Sequence, residues 1–122
     1  MTISEYFSST NGHGVLATAD NQGKVNAAVY SKPYFKDEKT AVFIMAERLS
    51  YDNLKTNPYA MYLFIESTSE WTGKRLYLKK IKEVDDQDLV TQVCQACDYS
   101  HYDVGGRHLT YFEVLDVIPL IS

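Results

Sequence analysis

TAVFIMAERLSYDNLKTNPYAMYLFIE, Thr40–Glu66, is the stretch that decides how this chain folds. Its two continuous apolar runs, Ala41–Ala46 and Ala60–Ile65, read as fully buried strands. Between them stand Arg48, Ser50 and Asn53, then a short helical turn closed by Asn57-Pro58. A strand that leaves the core this way brings a cation, a hydroxyl and an amide to one spot. Ser50 reads as the N-cap, which points the N–H groups of Tyr51, Asp52 and Asn53 outward with the helix dipole behind them. A guanidinium beside such N–H groups suits an anion, and phosphate is the usual one. The plainer alternative is a solvated Arg48, with Ser50 and Asp52 acting only as caps. The local pattern accommodates both.

Upstream, Val15–Ala19 and Val25–Tyr30 read as two strands joined by the hairpin signal Asp20-Asn21-Gln22-Gly23. Alternation puts Asn26, Ala28 and Tyr30 on one face of the second strand and Val25, Ala27 and Val29 on the other. The Asn26 face is small and polar. It is either a plain solvent face or a floor against which a flat molecule can lie, with Tyr30 and Pro33-Tyr34-Phe35 crowding the same region. Thr2-x-x-Glu5 predicts a capping box for a first helix carrying Ile3, Tyr6 and Phe7. Asn11-Gly12-His13-Gly14 ends that helix in a turn, with His13 at the surface. Lys36-Asp37-Glu38-Lys39 reads as a solvated turn.

Downstream, Ser67–Thr72 is a polar loop around Trp71, and Gly73-Lys74-Arg75 opens a strand with Leu76 and Leu78 facing one way. Asp85–Tyr99 has the clearest helical period. Its apolar stripe is Leu89, Val90, Val93, Cys94, Ala96 and Cys97, and Asp85, Asp86 and Asp88 lie near the positive end. A polar loop from Ser100 to Arg107 leads to a last strand, Tyr111–Val117. Hairpin-length links dominate, which predicts a largely antiparallel sheet curled into a small barrel.

The totals narrow the function. The chain has 122 residues, the size of one domain, 1–122, around one core. A net charge of −4 argues against nucleic acid as a bulk electrostatic partner. No apolar run approaches the ~20 residues that span a bilayer, so no membrane partner is expected. MTISEYFSST does not read as a signal peptide, and two cysteines fit a reducing, cytoplasmic setting. Ten Tyr, five Phe and one Trp are more rings than one small core hides, which suggests an interface or a pocket for a flat ligand.

Reactive groups of the chain's own are scarce. Cys94-x-x-Cys97 with His101 and His108 resembles a metal pattern, but both thiols belong to an apolar stripe, and structural zinc usually takes four ligands. The reading is a packed core with no metal. Asp85-Asp86 is explained by helix capping, and Gly12-His13-Gly14 lacks the third glycine and preceding strand of a phosphate loop. No catalytic residue stands out, so any chemistry depends on a borrowed cofactor.

GVLATAD, the glycine-ended hairpin, VNAAVYSKPYF and then VFIMAERLSYDNLKTNPYAMYLFIE together resemble the pyridoxamine 5′-phosphate oxidase-related FMN-binding split-barrel proteins. The likeness runs from about Gly14 to Glu66 and more loosely through GKRLYL to the last strand, with Asn53-Leu54 and Asn57-Pro58 the most family-like string. It implies a mainly β fold, a six-stranded antiparallel split barrel with short flanking helices. It also implies a homodimer with flavin in a groove at the subunit interface. By position, Arg48, Leu49 and Ser50 would meet the FMN phosphate, with Asn53 bracing the turn or contacting the cofactor. Asn26, Ala28 and Tyr30 would line the isoalloxazine or ribityl chain. Lys74 and Arg75 match a strand start that often contributes a basic residue, and Trp71 would approach the ring from the partner subunit. Many members carry two basic residues before the turn. Here only Arg48 is basic, and Leu49-Ser50 follows it. The C-terminal extension that full pyridoxamine phosphate oxidases use for substrate is not in this sequence, so vitamin B6 oxidation is not expected. The implied function is a small flavin-dependent oxidoreductase. The alternatives are a non-enzymatic FMN-binding electron carrier, or a split barrel for another ligand such as haem or a deazaflavin.

Overall fold

The computed structural model describes residues 1–46, 48–86, 88–90, 92 and 107–121. The chain begins with α1 (Ile3–Ser9), whose capping box is formed as predicted. Thr2 Oγ1 accepts the Glu5 N–H at 3.1 Å, and the Glu5 carboxylate reaches back to the Thr2 N–H. The elements after it are β1 (Gly12–Ala19), β2 (Val25–Tyr30), β3 (Tyr34–Asp37), β4 (Thr40–Met45), α2 (Leu49–Thr56), β5 (Tyr59–Glu66), β6 (Gly73–Val84) and β7 (His108–Pro119).

The strands form one sheet in the order β2-β1-β5-β6-β7-β4-β3, and every neighbouring pair is antiparallel. β2 and β3 are consecutive in sequence yet occupy opposite edges. Laid flat, seven strands would separate those edges by roughly 29 Å, at ~4.8 Å per step. The link from Tyr30 to Tyr34 spans at most about 14 Å. The sheet must therefore curl until its edges approach, while β2 and β3 stay unpaired. This is an antiparallel split barrel.

Its main core is a packed set of rings and aliphatic side chains from α1 and most of the strands, including Phe7, Leu16, Phe43, Tyr62, Phe64, Leu76 and Phe112. Phe43 meets Tyr62 and Phe112 edge-on at centroid distances of 5.1 and 5.5 Å, arrangements that add to plain area burial. β4 is buried on both faces. Ala41, Phe43 and Met45 point into this core, while Val42 and Ile44 join a second cluster with Val90 and Leu109. That explains its uninterrupted apolar run. β5 carries the same signal but alternates: Ala60, Tyr62 and Phe64 are buried, whereas Met61, Leu63 and Ile65 are half-buried. The expectation that Ala60–Ile65 is fully buried is corrected to that extent, because an apolar run does not say what covers its second face.

Four other expectations change. There are seven strands rather than six. Tyr34–Asp37, expected as a crowded corner running into a turn, is a short edge strand, drawn into register with β4 because Phe35 is buried and stacks on Phe7 at 5.3 Å. Gly12-His13-Gly14 is the start of β1 rather than a turn. A Cβ on Gly14 would come within 1.9 Å of the Tyr62 hydroxyl, so glycine serves the close approach of a ring there. His13 is exposed, as expected. The last strand begins at His108, ahead of the predicted Tyr111.

At the late helix, the Asp86 carboxylate accepts the N–H groups of Asp88 and Leu89 at 3.0 and 3.2 Å, an N-cap contact. Val90 is buried against β4 and β7, with Leu89 packed on the same cluster, as its predicted stripe requires. Cys94, Cys97 and His101 lie outside the described residues, as do all residues from 93 to 106. No described helix is long and apolar enough to cross a membrane.

Candidate functional site

Between β2 and the exit of β4 lies a cleft of about 530 Å³, within the ordinary range for small-molecule pockets. One wall is β2, whose residues Asn26, Ala28 and Tyr30 share the half-buried face as alternation predicts. The floor comes from the end of β4 and its continuation, Ile44 and Ala46. Arg48, Leu49 and Ser50 at the start of α2 also line it, as does Arg107. Val29 and Ser31 complete the rim.

Helix α2 starts two residues earlier than expected. Arg48, with extended backbone (φ −127°, ψ −169°), occupies the N-cap position without a side-chain cap, and its carbonyl accepts the first helical bond from the Asp52 N–H at 2.9 Å. Ser50 is therefore inside the first turn, and its hydroxyl is used elsewhere. It is only 3% exposed and accepts a hydrogen bond from Asn26 Nδ2 at 3.1 Å. This tertiary contact fastens the helix start to the β2 wall. The amides with no helical carbonyl behind them are then those of Leu49, Ser50 and Tyr51. The cleft keeps the predicted combination of guanidinium, hydroxyl and helix start, with the frame shifted.

Burial raises the Tyr30 phenol above its ordinary value, while the Ser50 hydrogen bond and the charges of Arg107 and Arg48 pull it the other way. The net effect is upward, so Tyr30 presents a neutral hydroxyl at physiological pH. Two guanidinium groups face the cleft, and no carboxylate lines it among the described residues.

Asn53 is buried and does not line the cleft. Its Nδ2 donates to Thr18 Oγ1 at 3.0 Å, pinning α2 to β1, which is the bracing half of its expected role. Asn57 caps the C-terminus of α2, its N–H bonded to the Asn53 carbonyl at 3.0 Å. Three candidates lie away from the cleft of their own chain. Trp71 is 72% exposed in the β5–β6 loop. Lys74 sits over the Tyr6 ring at 4.8 Å, and Arg75 Nε donates to the Pro119 carbonyl at 2.9 Å.

Sequence reasoning missed Ile44, Ala46 and Arg107. The first two lie four and two residues before Arg48, so i, i+2 spacing along the strand exit carried their signal. Arg107 had no local signal. It reaches the cleft because β7 pairs with β4, and its neighbour His108 stacks on Tyr51 of α2 at a centroid distance of 4.8 Å. His108 Nδ1 also contacts the Asp85 carboxylate and lies 4.0 Å from Glu83 Oε2, which accepts the Tyr51 hydroxyl at 2.5 Å. Glu83, Asp85 and His108 are close enough to share an ion. Lys80 already lies 3.9 Å from Glu83, and together these groups form a polar cluster that fastens β6, β7 and α2.

No protein-family model and no curated protein matches the sequence. Solved structures do match the fold. An FMN-binding protein from Syntrophomonas wolfei subsp. wolfei aligns over 98% of this chain and 83% of its own, with 18% identity and a TM-score of 0.79. An F420 reductase aligns over 97% and 98%, with 16% identity and a TM-score of 0.76. A FAD-binding protein from Mesorhizobium loti aligns over 95% and 90%, with 12% identity and a TM-score of 0.66. At these identities the likeness establishes the architecture, a split barrel of the kind seen in those proteins.

Proposed function

We propose that the cleft binds FMN and that the protein is a small flavin-dependent oxidoreductase working as a homodimer. The observation that carries this is the convergence of Arg48, Ser50 and the first amides of α2 at one end of a cleft walled by the small polar face of β2. The fit with the cofactor follows from the lining. Arg48 offers paired N–H donors to a terminal phosphate, and the helix start adds amides and the positive end of the dipole. Ala28 and Ala46 leave room for a flat ring system against the backbone, and Asn26 and Tyr30 supply polar contacts along its edge. The split-barrel relatives named as binding FMN and FAD support a flavin in this cleft. Bound flavin would supply hydride and electron transfer. The residues' own work is to bind, orient and hold the Tyr30 proton in place.

The second face of the sheet supports the homodimer. Cross-strand pairing lines up Ala27, Ala17, Met61 and Tyr77 in one row, with Val29, Val15 and Leu63 beside it. Val25 and Val29 are 79% and 80% exposed in a single chain. A second copy is the occupant that gives Met61 and Leu63 the burial their sequence suggests. Because Val29 belongs to both the patch and the cleft rim, that copy would sit against the cleft. Trp71 of a partner is then the ring expected near the cofactor.

The test is the absorbance spectrum of purified protein with and without added FMN, followed by gel filtration. Flavin bands that travel with the protein support the reading, and NADH or NADPH turnover then separates an enzyme from an electron carrier. Protein that retains no flavin rejects it.

A further inference from the structure

We propose that Glu83, Asp85 and His108 form a binding site for a divalent cation of the zinc class, separate from the cleft, which none of the three lines. One ligand atom from each lies within 4.8 Å of the others. His108 Nδ1 is at the centre: it contacts the Asp85 carboxylate and lies 4.0 Å from Glu83 Oε2. An imidazole nitrogen with two carboxylate oxygens suits Zn²⁺ better than Ca²⁺, and three protein ligands leave a fourth position for water. Zinc bonds of ~2.0–2.2 Å put two ligands at most about 4.4 Å apart. The small contraction this needs falls to Asp85, which follows the end of β6 and whose side chain is 66% exposed.

The fold holds these ligands in place. His108 and Thr110 of β7 lie opposite Met45 and Phe43 of the main core, and Glu83 of β6 lies opposite Thr110. Strand pairing therefore sets His108, Thr110 and Glu83 on one face of the sheet. The His108 ring stacks on Tyr51 with an interplanar angle of 18°, which fixes its plane. The Tyr51 hydroxyl donates to Glu83 Oε2 and orients that carboxylate, the outer support that ligating carboxylates usually have. A second observation points to a ligand at this place. Thr110 is 1% exposed, and its hydroxyl has no hydrogen-bond partner among the described residues. Buried hydroxyls nearly always have one, and a water on the ion would supply it. Lys80 Nζ, 3.9 Å from Glu83 Oε1, is too distant for a hydrogen bond, and its charge opposes a cation.

The experiment titrates Zn²⁺ into untagged, chelator-treated protein by isothermal calorimetry, with the melting temperature as a second readout. Wild type is expected to bind one ion per chain and to melt higher in Zn²⁺, and to show neither effect in Ca²⁺ at the same concentration. Asp85→Asn and His108→Gln should each weaken Zn²⁺ by more than about tenfold, since even the outer partners of a metal ligand are worth about tenfold to a hundredfold. Thr110→Val should weaken Zn²⁺ about tenfold without lowering the melting temperature of the metal-free protein, because it removes a hydroxyl that has no partner there. Lys80→Met should tighten Zn²⁺, a change that a cluster serving only to fasten strands would not produce. Cys94→Ala with Cys97→Ala should keep wild-type affinity. A folded wild type that binds no Zn²⁺ overturns the proposal. Binding unchanged in Asp85→Asn, His108→Gln or Thr110→Val overturns it too, as does binding lost with the two cysteines, which would place the ion elsewhere. If His108→Gln does not fold, Asp85→Asn decides.

Discussion

Arg48 and Asn53 sit five residues apart on one turn and do different work, and their substitutions separate the two roles. Arg48 is exposed at the helix start and faces the cleft. Arg48→Ala should leave the melting temperature within a degree or two and weaken FMN by about 1.5–3 kcal/mol, the range for hydrogen bonds to charged groups. Isothermal titration at fixed ionic strength would measure it, and an unchanged constant would remove Arg48 from the phosphate end. Asn53 is buried and donates to Thr18. Asn53→Ala deletes that bond and leaves the Thr18 hydroxyl buried without its donor, a change that costs about 1–3 kcal/mol. The urea midpoint should fall with an unaltered slope. A midpoint equal to wild type would mean that α2 is held by other contacts. Arg48 was legible in the sequence because a cation after an apolar run is conspicuous. The role of Ser50 was only half legible: its hydroxyl favours a cap, but the tertiary bond from Asn26 wins, and Arg48 takes the N-cap position instead.

Among the elements, β2 depends on its neighbours more than the others do, since it is an edge strand and also the cleft wall. Tyr62, fully buried on β5, donates its hydroxyl to the Tyr30 carbonyl at 3.0 Å and so ties the core to the end of β2. Burial raises the Tyr62 and Tyr30 phenols, and burial together with the Glu66 hydrogen bond raises Tyr6. The sign of the linkage follows. The folded state holds these protons more tightly than the unfolded chain, whose phenols titrate near about 10. Their contribution is intact below about pH 10 and is lost as pH rises toward the folded values. Urea unfolding from about pH 8 to pH 11 should show stability flat and then falling, with slow tyrosinate absorbance lagging the exposed rings. Full titration of all ten tyrosines near pH 10 at constant stability would contradict the raised phenols. The same scale shows what the sequence could reveal about strands. β4 and the hairpin of β1 and β2 were readable because run length and alternation are local. β3 was missed because four residues give too few periods and its burial comes from Phe7 in α1. Arg107 was invisible because its place depends on the β4–β7 pairing, a long-range contact.

For the whole molecule, the open question in physical terms is what covers the outer face of β2, β1, β5 and β6. Met61 lies at the middle of that face, paired with Ala17 on one side and Tyr77 on the other. It is not part of the cleft lining, so a charge placed there tests association without touching the binding residues. Met61→Lys puts a hydrated ammonium in the centre of an apolar contact, and two copies related by symmetry would bring like charges toward each other. Sedimentation velocity should show wild type as a dimer and Met61→Lys as a monomer with an unchanged far-UV spectrum. The single tryptophan then reports on the cofactor. Trp71 is exposed and away from the cleft of its own chain, so FMN should quench its fluorescence in the dimer and lose that effect in the Met61→Lys monomer. A monomeric wild type that still binds FMN would confine the site to one chain and leave the apolar face for a different partner. Quenching that persists in the monomer would bring Trp71 to the flavin from its own subunit, which the position of the β5–β6 loop argues against.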